Sequence, residues 1–314
     1  MSTLRADVHQ HLWTEPLLAA LAERERLPFV RRRGGATAIL HSAGECAYAI
    51  DTEIETPGHR AAQLRDAGLD VALIALSSPI GIEALPRGEA RELIDAHLEG
   101  IDSLTSQFAA WGPVALDRPD PADVDDLLSR GCAGISIPAG ALASRDAFER
   151  IDPVLAHTEA HDVPLFVHPG PGANTPPPAP SLTDPLWWPA LTDYISQMQA
   201  AWLTFATLGR RRHPHMTIVF AMLAGGAPLL GERLAARGGP PVDLTDPLTF
   251  YDGSSYGDAA IGAIAGLVGA DQLLYGSDRP VVEPERTRWD DVLQKNAATV
   301  VRSARPARAE SVAA

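Results

Sequence analysis

The chain carries Asp7-Val8-His9-Gln10-His11 close to its start, two imidazoles two residues apart at the end of a strand-like run. Successive side chains of an extended strand alternate faces, so His9 and His11 point one way and Gln10 the other. Two neutral imidazoles on one face begin a metal site, although an H-x-H by itself fits two polar residues at a strand end equally well. Two more residues shift the balance. The apolar run from Pro164 ends in His168, and the run from Leu273 ends in Asp278. Three imidazoles and one carboxylate at strand ends fit a hard-to-borderline divalent ion with an open position for water.

Such residues meet only if the strands that carry them share one rim. Short apolar or β-branched runs alternate with helical patterns along the whole chain, which predicts repeated β-α units and a parallel sheet. Strands are expected near 5–12, 69–76, 113–116, 133–137, 163–168, 216–221, 248–252 and 272–276. Helices are expected over 15–26, 59–66, 89–110, 121–130, 145–161, 187–208, 229–237, 258–268 and 286–302. Eight strands and 314 residues favour an α/β fold of the (β/α)8 TIM-barrel type over an open doubly wound sheet, whose G-x-G-x-x-G turn is missing. We expect one barrel domain over 1–303 and a frayed tail over 304–314. Two irregular insertions interrupt it: 27–58, expected over the barrel mouth, and the Pro- and Gly-rich stretch 169–185. In a barrel the chemistry collects at the C-terminal strand ends, where His9, His11, His168 and Asp278 fall.

Composition removes several classes. A net charge of −14 argues against a nucleic-acid partner, which needs a basic face. No apolar run is long enough to span a bilayer, and no basic-then-apolar leader is seen, so a soluble cytoplasmic protein is the expectation. Two cysteines, Cys46 and Cys132, make neither a disulfide framework nor a thiolate metal site. The single lysine, Lys295, lies far along the chain; unless it reaches the site, Schiff-base catalysis and a carbamylated lysine are excluded.

The pieces Asp7-Val8-His9-Gln10-His11, Pro164 to Gly170, Ile218 to Pro228 and Leu274 to Pro280 resemble, in order, the amidohydrolase superfamily. The similar branch holds the aminocarboxymuconate-semialdehyde decarboxylase-like and related metal-dependent hydrolases. The resemblance implies that His9, His11, His168 and Asp278 bind one metal, most often zinc, and it leans towards a homodimer. It also implies a histidine at the end of the sixth strand to orient or deprotonate water. Met222 stands there, and a thioether accepts no proton at neutral pH.

Substitutes for that histidine are Asp278 itself, acting as ligand and proton acceptor, and Asp252 at the end of the seventh strand, whose other reading is a turn cap. His41 and His59, in or beside the first insertion, are further candidates. His97, His157, His161, His213 and His215 are read as packed or surface residues. Trp13, Trp187, Tyr251 and Arg279 are the expected substrate contacts. Arg279 is suited either to a substrate carboxylate or to a structural ion pair. Trp187-Trp188 suits a lid, a pocket wall or a dimer contact, and Arg31 to Arg33 a solvated hairpin face. The expected activity is hydrolysis of a small amide, ester or lactone through metal-activated water. Decarboxylation of a small unsaturated or aromatic acid is the alternative, and a binding barrel without turnover the second.

Overall fold

A computed structural model describes residues 4–173 and 185–303. The tail 304–314 and most of the Pro-rich insertion lie outside the described residues. The elements in chain order are β1 (Ala6–Gln10), α1 (Glu15–Ala22), β2 (Phe29–Arg33), β3 (Thr37–His41), β4 (Tyr48–Asp51), α2 (Pro57–Asp66), β5 (Val71–Ile74), α3 (Arg87–Asp102), β6 (Phe108–Pro113) and α4 (Ala122–Ser129). They continue with β7 (Gly134–Pro138), α5 (Arg145–Ala160), β8 (Leu165–His168), α6 (Trp188–Leu191), α7 (Asp193–Thr204), α8 (Arg210–Arg212), β9 (Ile218–Phe220), α9 (Gly231–Ala236), β10 (Thr249–Asp252), α10 (Asp258–Val268), β11 (Leu273–Leu274) and α11 (Asp290–Ser303).

Eight parallel strands run in the order β1-β5-β6-β7-β8-β9-β10-β11. The last returns to the first: Val8 N–H donates to Tyr275 O, Asp278 N–H to His9 O, and Gln10 bridges Arg279. This is a (β/α)8 barrel, as the strand count predicts. Its strands read as continuous apolar runs because both faces are covered, one by the barrel interior and one by helices. The helices bury one stripe each. In α3 the buried residues Ala90, Leu93, Ile94, His97, Leu98 and Ile101 recur every three or four positions. Ser144 caps α5 by accepting from Ala147 N–H at 3.2 Å, a bond worth about 1 kcal/mol.

Three local expectations are corrected. The third barrel strand is Phe108–Pro113 rather than 113–116, and α3 stops at Asp102 rather than 110. The first insertion is not irregular: β2, β3 and β4 form an antiparallel three-stranded sheet. β9 is followed by a turn of left-handed backbone. Met222, Leu223, Ala224, Gly225 and Gly226 all have positive φ, from 49° to 74°, one left-handed turn. An L-residue pays roughly 1–2 kcal/mol for that conformation, so three non-glycine residues there mark a strained corner. Among the described residues no helix is long and apolar enough to cross a membrane.

Candidate metal centre

Alternation along β1 sends His9 and His11 into the barrel and Gln10 outward, where Gln10 Oε1 accepts from Arg60 Nη2 at 2.7 Å. His168 ends β8. Asp278 follows β11 at φ 58°, a left-handed conformation that a short polar side chain tolerates. These four residues converge: their ligand atoms all lie within 4.8 Å of one another. His9 Nε2 is 3.2 Å from His11 Nε2, and Asp278 Oδ1 is 3.2 Å from His11 Nε2 and 3.5 Å from His9 Nε2. The three ring centroids are 4.9–5.0 Å apart, with the ring planes nearly perpendicular in every pair.

Each ring is locked from behind. His11 Nδ1 lies 2.9 Å from Ala75 O and His168 Nδ1 2.9 Å from Pro169 O. A carbonyl only accepts, so both rings donate through Nδ1 and turn a bare Nε2 inward. His9 Nδ1 donates to Asp252 Oδ2 at 2.9 Å, both side chains fully buried. Burial, then the neighbouring imidazoles of His9 and His11, holds His168 well below the usual imidazole range, so it is a neutral donor. Burial also opposes charge on His9, but Asp252 and Asp278 outweigh it and raise its pKa to about 9. Two carboxylates thus demand positive charge where three imidazole lone pairs meet.

That donor set fits a divalent cation. An ion about 2.1 Å from each donor sets neighbouring donors about 3.0 Å apart in octahedral and about 3.4 Å in tetrahedral geometry, and the observed 3.2, 3.2 and 3.5 Å fall in or just above the upper part of this range. Three nitrogens and one oxygen suit a borderline ion. When bound, it would supply Lewis acidity, drawing an anionic oxygen of a substrate into the barrel mouth.

The other expected site residues are placed as follows. Asp252 lies behind the centre, not in it. Oδ2 is taken by His9, while Oδ1 accepts from Met222 N–H, Ser254 N–H and the Ser254 hydroxyl. Although burial raises its pKa, the His9 charge and these bonds hold it below the ordinary range, so it is ionised but has no oxygen to offer a substrate. Tyr251 points away from the barrel interior, its hydroxyl accepting from Trp202 Nε1 at 2.9 Å. Arg279 is paired with Glu283. Tyr251 is the strand neighbour of the inward Asp252, so alternation along β10 turns it to the opposite face, whereas Arg279 follows the left-handed Asp278 outside any strand. Trp187 is 56% exposed and packs against Trp188.

Trp13 is buried, 6.4 Å from Tyr48 of the β2-β3-β4 sheet, and its Nε1 has no partner. Met222 lies beside the centre through its bond to Asp252. His59 is exposed on α2, and His41 stacks on Phe29 at 4.8 Å; neither joins the donor cluster. His213 is buried between Asp152 and Glu159 rather than at the surface. Lys295 pairs with Asp291 on the outside of α11, so lysine chemistry is excluded.

Sequence reasoning missed three groups. Tyr48 and Tyr194 both have raised pKa values, chiefly through burial, then through Glu55 for Tyr48 and Glu45 for Tyr194, and in smaller part through the charge of Asp278; Tyr194 also donates to Glu45 at 2.8 Å. Glu83, on the rim loop after β5, is fully buried, receives the Ser78 hydroxyl on one oxygen and has no partner on the other. Burial pushes it up to about 7. Ser78 abuts Gly170, two residues past His168, so closely that a Cβ at 170 would meet its Cβ at 2.7 Å. Tyr48 and Tyr194 follow no strand-end rule, and Glu83 stands in a loop with no period; position in the fold alone reveals them.

No family model matches the chain, and no curated protein is similar to it in sequence. Solved structures are similar in fold. IDCase from Metarhizium anisopliae, in apo form, matches with a TM-score of 0.72 at 15% identity, covering 96% of this chain and 91% of that one. The 5-carboxyvanillate decarboxylase of Sphingomonas paucimobilis matches at 0.67 and 16%, covering 96% and 99%. That of Novosphingobium aromaticivorans, a mutant with bound manganese and 3-methoxy-4-hydroxy-5-nitrobenzoic acid, matches at 0.66 and 18%, covering 96% and 94%. An amidohydrolase II is among the other matches. A putative amidohydrolase from Staphylococcus aureus also matches, and at such identities the likeness establishes the shared barrel alone.

Proposed function

We propose that the chain is a metal-dependent carboxy-lyase of the amidohydrolase type, acting on a small aromatic or unsaturated carboxylate. The single observation that carries this reading is the four-residue donor cluster beside Met222. Hydrolysis needs a base to take a proton from water; the residue at the end of β9 is a thioether, which leaves that task to Asp278, itself one of the four donors. Decarboxylation asks for something else: the C–C bond breaks, its electron pair stays on the substrate carbon, that carbon takes a proton, and CO2 leaves. The decarboxylases among the fold neighbours, one of them holding manganese and a nitrobenzoic acid, favour the same choice over hydrolysis.

In this reading His9, His11, His168 and Asp278 would hold one divalent ion, zinc or manganese, which would supply Lewis acidity towards the substrate carboxylate. Asp278 is the most open of the four, its side chain 12% exposed, and holds the proton in transit to the substrate carbon. Asp252 keeps His9 in its donor tautomer. Trp13, Tyr48 and Tyr194 wall the substrate ring. A panel of hydroxylated benzoates and small unsaturated acids, assayed for CO2, tests the proposal. Release that depends on added metal and is abolished by Asp278→Asn supports it. Turnover of lactones or amides with uptake of labelled water, and none of the acids, replaces it with hydrolysis. If only Met222→His turns over any compound, the wild type is a binding barrel.

A further inference from the structure

We propose a second metal site, unrelated to the first, on the outside of the barrel: His157 and His161 of the α5 C-terminal region with Asp125 of α4. It takes a borderline divalent transition ion such as Zn2+ or Ni2+ and clips the two helices together. His157 is in the last turn of α5 and His161 caps it, four residues on, so both rings rise from the same face of one helix end. Their centroids are 4.8 Å apart. Asp125 comes from the neighbouring helix. His157 Nε2 lies 3.1 Å from both its carboxylate oxygens, and His161 Nε2 lies 2.9 Å from Oδ1.

The telling distance is 3.3 Å between the two Nε2 atoms. If both carry hydrogen and donate to Asp125, the carboxylate can accept both, but the two N–H groups are held against each other at 3.3 Å. If one is bare, it gives up that bond. A cation in their place satisfies all three donors at once: donor pairs about 2.1 Å from a shared ion sit about 3.0–3.4 Å apart, which is where 2.9, 3.1 and 3.3 Å fall within a few tenths of an ångström. Two imidazoles among three ligands favour Zn2+, Ni2+ or Co2+ over Mg2+ or Ca2+, which prefer oxygen, and weakly over Mn2+. The side chains are 34%, 39% and 56% exposed, so the remaining positions are open to water. The two centres are at opposite ends of the barrel, because α5 leads into the start of β8 whereas His168 ends it.

The test counts metal. Chelator-stripped full-length protein, dialysed against micromolar Zn2+ and analysed for zinc per chain, should hold two equivalents. His157→Ala/His161→Ala should hold one, and His168→Ala should keep the outer one. Asp125→Asn should weaken the outer site by roughly tenfold or more in a Zn2+ titration with little effect on the inner. Circular dichroism of each variant checks that these exposed changes leave the barrel folded. A double-histidine variant that binds as many zinc equivalents as wild type overturns the proposal, as does a His168→Ala variant that binds none. Manganese separates the sites: the double-histidine variant should keep the wild-type Mn2+ stoichiometry, so failure of the inner centre and failure of this one read differently.

Discussion

Asp252→Asn isolates what the buried carboxylate does for the inner centre. The amide has nearly the same shape, and its carbonyl can still accept from Met222 N–H, Ser254 N–H and the Ser254 hydroxyl. Its NH2 then faces His9 Nδ1, 2.9 Å away in the wild type, where two donors cannot meet. His9 must change tautomer, putting the hydrogen on Nε2 and removing one lone pair from the centre. Loss of a partner of this kind costs about 10- to 100-fold in metal affinity, or roughly 1.4–2.7 kcal/mol. Because an ion that binds only the native state stabilises it in proportion to the logarithm of its affinity, the stabilisation by saturating metal should shrink by roughly the same 1.4–2.7 kcal/mol. The assay is Mn2+ affinity by chelator competition, with urea unfolding in the presence and absence of Mn2+. An Asp252→Asn protein that binds Mn2+ within about twofold of wild type and gains the same stability from it would refute the role of Asp252 as the group that sets the His9 tautomer.

Two other perturbations follow from the packing. Glu83, raised from 4.5 to about 7 by burial, is neutral in both states at low pH. As pH climbs from about 4.5 through 7 the unfolded chain ionises first, and the native state loses about 3 kcal/mol of stability. Glu83→Gln removes that loss, so urea unfolding with chelator present should show the variant gaining on wild type between pH 5 and pH 8; parallel pH profiles would contradict it. A methyl at Gly276 would lie 2.9 Å from both Asp252 Cγ and His9 Cβ, so Gly276→Ala should cost about 1–3 kcal/mol and weaken Mn2+ binding. Gly266, in α10 with open space around it, is the control: Gly266→Ala should stabilise by up to about 1 kcal/mol and leave Mn2+ affinity unchanged.

The barrel and the four donors were legible because they rest on strong local signals, strand periodicity and residue type at strand ends. The same period of two that pairs His9 with His11 also turns Tyr251 away from Asp252, while the left-handed backbone at Asp278 sets the direction of Arg279 by a turn that no strand period describes. Phe108 to Trp111 is short, apolar and alanine-containing, a composition that fits a helix end or a strand, and only pairing with β5 and β7 decides it. The left-handed turn at Met222 could not be foreseen, since Leu223 and Ala224 take a conformation against their own preference. Arg31 to Arg33 do lie on a hairpin strand, with Arg31 over Phe29 at 4.1 Å and Arg32 paired with Glu15. The polar chain from Asp7 through Gln10 and Arg60 to Glu55, which ties the back of β1 to the first insertion, depends on contacts up to 50 residues apart.

The inner metal centre is tested most directly by counting Mn2+ on chelator-stripped protein, with free Mn2+ read by electron paramagnetic resonance. Wild type should bind one equivalent tightly, and His168→Ala and Asp278→Ala should bind none while remaining folded. A wild-type protein that binds no Mn2+ or Zn2+, or a His168→Ala protein that binds as wild type does, would contradict the assignment of His9, His11, His168 and Asp278 as one metal site.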